Sequence, residues 1–418
     1  MVAAVDGGEA RTLATRSGQD WFLGVPAWSP DGNTILCPAG TDTGGTYFTL
    51  VEVPAQGGET KQITSHKWRG AVFRPFWIKD QSGIIVNGKE SPTTQFQIWQ
   101  VSYPEGAVTR ITNDLTEYGA SSFGLTADSS TIVTIAGERS TAVWLTAPNE
   151  EENRARKVTS GKHDAENALV WTPDGRIIYS AKTGDTSDIW IMNSDGTGQK
   201  QLTSNEDFEE GVHVSRDGRY VFFSSYSPGS VQHIWRIDID GGNPKQITYG
   251  EFGDLNPVPT VDGSSIVFGS WRSGSGRMWK VSIDGGEPVQ FSNLPFNARN
   301  FLSGGKLLLG AYFDEQVTPH RWRTALFDVK TGLITKVFDP PAKARGTWMT
   351  DEKTVLYTAT ENDAENVWTM SIDGGAAKQL TRFSSQEIFN VAPSPDGKQL
   401  ALARGTSTAD VILIKDFR

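Results

Sequence analysis

Cysteine is almost absent from this chain: Cys37 stands alone, so no intrachain disulfide is possible and the fold must hold without cross-links. No apolar run approaches the 18 residues that a membrane-spanning helix needs, and direct membrane insertion is not expected. The opening MVAAVDGGEARTLATRSG has no basic stretch followed by an apolar one, so an export signal is not expected within it. Basic residues are outnumbered, 39 against 49, for a net charge of −10, which argues against a phosphate-backbone partner and so against nucleic acid. Only five methionines and few Ala-Leu-Glu-Lys runs are present, and almost no long helix is expected. P-loop, H-E-x-x-H, C-x-x-C and dinucleotide fingerprints are all missing, so no cofactor and no metal site is expected.

What is abundant is punctuation, with 44 glycines and 20 prolines, and 14 tryptophans between them. These fall in a repeat. WTPDGRIIYSAKTGDTSDIWIMNSDGTGQKQLT, from Trp171, is followed by VSRDGRYVFFSSYSPGSVQHIWRIDIDGGNPKQIT, which ends at Thr248. Asp174 and Asp217 of the D-G turns stand 43 residues apart, and Trp190 and Trp235 stand 45 apart. The turn recurs at Asp31, Asp80, Asp128, Asp262, Gly304, Asp351 and Asp396, and the tryptophan at Trp99, Trp144, Trp279 and Trp368. Self-similarity at 40 to 50 residues, without a helical period between, indicates a repeat architecture.

Each repeat parses into four strands, a to d: ALVWT, RIIYSA, IWIMN and KQLT in the unit around Asp174. Asp-Gly and Gly-Gly supply the positive φ that two-residue hairpins need, and the apolar runs suit buried sheet. The expected fold is all-β, a single β-propeller over residues 1–418, with nine blades counted and eight as the alternative. Blades start near residues 21, 66, 115, 161, 206, 250, 294, 338 and 383. Residues 1–14 are expected to supply the strand that completes the last blade and closes the ring. Because Met1 falls in mid-repeat, an upstream region is also expected. The repeated tryptophans are read as apolar filler between neighbouring sheets rather than as ligand platforms.

The tokens S-P-D-G at Ser394 to Gly397, I-W-x-[VIM]-x-x-D-G-G at Ile234 to Gly242 and K-Q-[LI]-T at Lys378 to Thr381 resemble TolB-like propeller repeats of bacterial proteins. The resemblance spans nearly the whole chain. The closing DGKQLALARGTSTADVILIKDFR is most similar to the C-terminal extracytoplasmic propeller of bacterial receptor-like serine/threonine kinases. The resemblance implies a periplasmic or extracytoplasmic setting and a binding or sensing role. It does not bring the peptidoglycan-associated lipoprotein with it, since the N-terminal α/β domain and the usual six-blade count of the translocation protein are not evident here.

No catalytic constellation stands out. GSWRSGSG, from Gly269 to Gly276, lacks the G-x-S-x-G spacing and reads as a glycine-rich loop. His213 and His233 fall inside strands, while His66 and His163 fall in d-to-a connections. The long d-to-a and b-to-c connections share one edge of the sheets, and function on such scaffolds sits in loops. That edge is acidic and aromatic, with Glu209, Glu251, Asp314, Glu315, Glu361, Asp363 and Glu365 among its acids. The candidate binding residues are His163, Asp164, Glu166, Glu206, Asp207, Phe208, Glu210, Phe252, Asp254, Trp271 and Arg272. A negative surface with aromatic anchors suits a protein or peptide partner, a basic one in particular, or a small ligand. The alternative is a propeller lyase or hydrolase acting on sugar or peptide through His163 and neighbouring carboxylates. A propeller severed from a peptidase domain is a third reading.

Overall fold

A computed structural model describes residues 2–3, 10–43, 45–91, 94–114, 116–183, 186–205, 207–227, 230–293, 296–302, 304–314, 317, 321–338, 344–349, 353–361 and 364–417. Among them the chain is all-β, and its one helical element is a 3₁₀ turn at Glu152–Arg154.

The repeated tokens have local physical causes. In S-R-D-G the Ser215 hydroxyl donates to Asp217 Oδ1 at 2.6 Å and accepts from the Tyr220 N–H at 2.9 Å, while the Arg219 N–H donates to Asp217 at 3.1 Å. One hydroxyl thus ties both ends of the turn, and Gly218 takes the φ of +72° that an L side chain resists. Ser29, Thr126, Thr260 and Ser394 donate in the same way to the aspartate two residues on. Thr260 heads the contacts that pull the Asp262 carboxyl down to about 2. The threonine that closes K-Q-[LI]-T accepts the N–H of the residue before the strand-c tryptophan: Ile189 to Thr203 at 2.9 Å, Ile234 to Thr248 at 3.0 Å and Val367 to Thr381 at 2.9 Å.

Four-stranded antiparallel groups follow one another, and successive residues of their second strands point to opposite faces. Ile177 and Ile178 are both fully buried, yet they belong to different apolar clusters. So do Phe222 and Phe223, and Ile266 and Val267. Each sheet is therefore apolar on both faces and must be packed on both. The first strands each carry a register shift, for instance between Glu210 and His213 and between Leu255 and Val258. Such bulges bend the strand and re-aim its side chains.

The chain divides into two compact units: Met1–Glu138, Pro228–Ser230 and Ser407–Arg418 in the first, and Arg139–Ser227 and Val231–Thr406 in the second. The a-to-d parsing puts a b-to-c connection between residues 131 and 146 and another between 400 and 415. Instead Thr131–Thr146 and Leu400–Lys415 are each one strand of 16 residues, and they pair with one another. The physical reason is turn chemistry. E-R-S-T at 138–141 and T-S-T-A at 406–409 contain no proline, asparagine or Asp-Gly, and their β-branched residues favour extension.

The second unit holds five groups, 164–201, 208–246, 254–292, 296–338 and 344–379. A sixth is composite, built from Glu387–Pro393, the first half of Leu400–Lys415, the second half of Thr131–Thr146, and Arg156–Lys157. One apolar cluster joins each adjacent pair. Val221 packs with Ile178, Phe268 with Phe222, Phe327 with Val267, Val355 with Leu309, Leu402 with Leu356, and Tyr179 with Ala401. The sixth group therefore packs on both the fifth and the first, and the series closes on itself. Each fully buried Leu, Ile or Phe in these layers contributes about 1.5–3 kcal/mol. Trp190, Trp235 and Trp279 lie in the clusters that join their own group to the preceding one.

In the first unit, Leu36 and Leu50 pack against Ile84 and Val86, and Ile85 and Ile98 pack against Phe123, Ile132 and Ile412. The opposite face of that last sheet leaves Val133, Ile135, Val411 and Leu413 exposed. The expected closure by residues 1–14 is corrected here. The last group takes its third strand from Thr131–Thr146, whereas Val2 pairs with Arg11, and the Arg11 guanidinium donates to the Ala55 and Gln56 carbonyls. Residues 4–9 lie outside the described residues.

The pairing of Thr131–Thr146 with Leu400–Lys415 needs glycine at one crossing. A Cβ on Gly405 would lie 1.7 Å from the Ser140 carbonyl oxygen, whereas one on Gly137 would find its nearest neighbour, the Thr408 carbonyl oxygen, at an ordinary 3.6 Å. Gly405→Ala is therefore expected to cost about 1–3 kcal/mol and Gly137→Ala much less. Denaturant titration of the two variants side by side checks this, and equal midpoints would contradict the pairing.

Candidate functional site

In an antiparallel a-b-c-d sheet, the start of a, the end of b and the start of c lie on one edge, and in the second unit that edge carries every candidate among the described residues. Glu206 lies outside the described residues. The rest divide into three neighbourhoods.

In the 164–201 group, His163 Nδ1 lies 3.2 Å from Glu166 Oε1. The Thr141 hydroxyl donates to the same oxygen at 3.3 Å and to the Asp164 carbonyl at 2.9 Å. The Asp164 carboxylate turns back into its own loop and accepts the Gly161 N–H at 2.9 Å. It is buried, and desolvation raises its pKa against the lowering effect of the Thr159 hydroxyl. His163 and Glu166 thus pair, and Asp164 serves the loop.

In the 208–246 group, the Asp207 carboxylate accepts from Asn205 Nδ2 at 3.0 Å, from Ser225 at 3.5 Å and from Ser227. Phe208 stacks on Tyr226 with ring centres 5.4 Å apart. Glu210 accepts from Gln232 Nε2 at 2.8 Å. Between them Glu209 is wholly buried and accepts a hydrogen bond from the Thr203 hydroxyl at 2.5 Å. Burial is the main cause that pushes its carboxyl up to about 8, with Asp188 and Asp207 adding to it.

In the 254–292 group, the register sets Asp254 opposite Ser270, which brings the connection before one strand beside the connection after the other. Arg272 Nη2 donates to Asp254 Oδ1 and Oδ2 at 2.7 and 2.6 Å, and its Nε donates to Ser270 Oγ at 3.1 Å. Asp254 is fully buried, and the guanidinium lies 5.5 Å from the Trp279 ring centre. Removing Arg272 alone would leave a buried charge uncompensated, a loss of about 3–5 kcal/mol. Around this buried pair stand three exposed aromatics: Tyr249 at 65%, Trp271 at 49% and Phe252 at 39%.

The acidic edge expected from sequence is therefore partly sunk: Asp164, Glu209 and Asp254 are interior groups, as are Asp188, Asp314 and Glu365. Sequence reasoning passed over Tyr249 and the nearness of His233, whose Nδ1 lies 3.7 Å from Asp254 Oδ2. The run Y-G-E-F-G-D, with two aromatics flanking a glycine-rich turn, was the available signal for Tyr249. His233 had none, because its approach depends on strand register. Among the described residues no group of three or more His, Cys, Asp and Glu is placed to hold a metal ion, and no helix is long and apolar enough to cross a membrane. His66 lies in the first unit and His163 in the second.

Four-stranded groups on a 40–50-residue period, each apolar on both faces and six of them closing a ring, define a β-propeller repeat protein. The chain belongs to the family of the TolB beta propeller domain, whose model matches residues 1–210 and 150–293. Among solved structures it is similar to TolB from Acinetobacter baumannii, at 16% identity over 80% of each chain with a TM-score of 0.43. It is also similar to a puromycin-hydrolyzing peptidase of Mycobacterium tuberculosis, at 13% identity over 91% of this chain and 57% of that one, with a TM-score of 0.35. Oligogalacturonate lyase from Vibrio parahaemolyticus matches at 13% identity over 82% and 87%, with a TM-score of 0.33. No activity is transferred from any of these likenesses. A comparison with curated proteins gives no match.

Glu209 makes stability depend on pH. Its folded value of about 8 lies above the ordinary 4.5, so between those limits the folded chain holds a proton that the unfolded chain has lost. Stability must then fall as pH rises from 4.5 to 8, by up to about 5 kcal/mol for this group. Glu209→Gln keeps the shape without the titration. Melting temperatures at pH 5 and pH 8 are expected to diverge less in the variant, and an unchanged difference would count against the burial described.

Proposed function

We propose that this chain is a non-catalytic binding propeller that takes a protein or peptide through the edge bearing the long connections, in the extracytoplasmic setting that the family resemblance suggests. The observation that carries the reading is the cluster at the 254–292 group, where Tyr249, Phe252 and Trp271 are exposed around the buried Arg272–Asp254 pair. Exposed aromatics are unfavourable in water, and a rigid ion pair beneath them holds their two connections in place at little entropic loss on binding. Aromatic anchors on a preorganised base are the features that dominate interface energies. The exposed Glu251 and the half-buried Glu210 and Glu166 add negative charge to the same edge, which favours a basic segment. No observation favours the lyase or hydrolase alternative, since His163 has Glu166 beside it and no third ligand among the described residues.

The reading is tested by selecting a phage-displayed random peptide library on the purified chain. The wild type is expected to enrich peptides with lysine or arginine next to aromatic or proline residues. The double variant Phe252→Ala with Trp271→Ala, which touches no buried contact of the ion pair, is expected to lose at least about tenfold in affinity for those peptides with melting unchanged. Equal affinity would overturn the assignment of this edge.

A further inference from the structure

A cavity of about 280 Å³ lies between the 164–201 and 208–246 groups of the second unit, and Tyr249, Phe252 and Trp271 are not in its lining. Its lining has an apolar part, with Phe223, Trp235 and Ile237, and a polar end, with Thr203, Asn205 and Ser225. The hydrogen bonds already made by that polar end decide what it can recognise. The Thr203 hydroxyl gives its proton to Glu209 Oε2 at 2.5 Å and accepts from the Ile189 N–H at 2.9 Å. Ser225 gives its proton to Asp207 at 3.5 Å, and Asn205 gives an amide proton to the same carboxylate at 3.0 Å. With these protons committed to carboxylates, what the two hydroxyls have left to offer is oxygen lone pairs.

Burial keeps the proton on Glu209, so the negative charge behind the wall is that of Asp207. Among the described residues Asp207 and Glu210 have only hydroxyl and amide partners and no cation. A site rich in acceptors, with the Asp207 carboxylate behind it and an indole in its lining, is matched by a cationic donor on an apolar stem. An anion would meet like charge, and a neutral chain would leave the acceptors unpaired.

We propose that this cavity binds an alkylammonium group, its stem along Trp235 and Phe223 and its N–H donors directed at Ser225 and Asn205 in the field of Asp207. A free aliphatic amine and the lysine side chain of a peptide share this chemistry. Neither Phe252 nor Trp271 lines the cavity, so either reading can fail without the other.

Isothermal titration of the whole chain at low salt, with four probes, tests it. The probes are pentylamine, N-acetyl-lysine methylamide, 1-pentanol and hexanoate. At least one amine is expected to bind at least about tenfold tighter than pentanol, with no binding of hexanoate. Binding of the lysine derivative alone assigns the site to peptide lysines, and binding of pentylamine alone assigns it to free amines. Ser225→Ala and Asp207→Asn are each expected to weaken the amine about tenfold, and Glu287→Gln, on an exposed turn, to change nothing. The proposal is overturned if neither amine binds at millimolar concentration, or if pentanol binds as tightly as the amines. The probe selectivity of the unmodified chain decides the matter even where a variant fails to fold.

Discussion

The pairing of Thr131–Thr146 with Leu400–Lys415 is the constraint on which the rest of the structure depends. Each strand serves one group with its first half and another with its second. Exchange of equivalent elements is cheap because every ladder bond of the expected hairpin is remade with a different partner. The sixth group of the second unit owes its third strand to this pairing, and with it the interfaces to the fifth and first groups. Around it Arg404 reaches Glu152 at 2.6 Å, lies 3.9 Å from the Phe383 ring centre and 5.0 Å from that of Trp144. Burial lowers its pKa against the raising effect of Glu152, so a charge is held inside by a carboxylate from the 3₁₀ turn and by two ring faces.

A second theme is how often carboxylates are assigned to structure. The turn aspartates accept a hydroxyl and a backbone N–H in repeat after repeat, and all are near the surface, where the bonds shape the chain more than they stabilise it. At the opposite ends of the strands, Asp164 holds its own loop and Asp254 holds Arg272, while Glu209 is so deeply buried that it keeps its proton. Acidic composition at an edge therefore overstates the charge that a partner would meet. The exposed aromatics beside Asp254 and the acceptor-lined cavity beside Glu209 are what remain for recognition.

The repeat, its strand order and the scaffold role of the tryptophans were legible because each rests on residues within 50 positions of one another. Asp217 with Ser215 and Thr248 with Ile234 are contacts that a local reading can reach. The aromatic loop at Phe252 was legible for the same reason, since Y-G-E-F-G-D stands in a connection that strand alternation assigns to the edge. The fates of Asp164, Glu209 and Asp254 were not, because identical residue types at equivalent places differ only in what the next strand sets against them.

By itself, then, the sequence determined an all-β chain of repeated four-stranded groups, with turns held by hydroxyl and carboxylate and sheets apolar on both faces. These follow from side-chain chemistry and a period of two, which act over a few residues. Only the tertiary structure decided where the series closes, because residues 131–146 and 400–415 find each other across more than 250 positions. Neither strand carries a local mark of its partner: a ladder bonds any extended backbone alike, and the choice falls to packing of the whole layer.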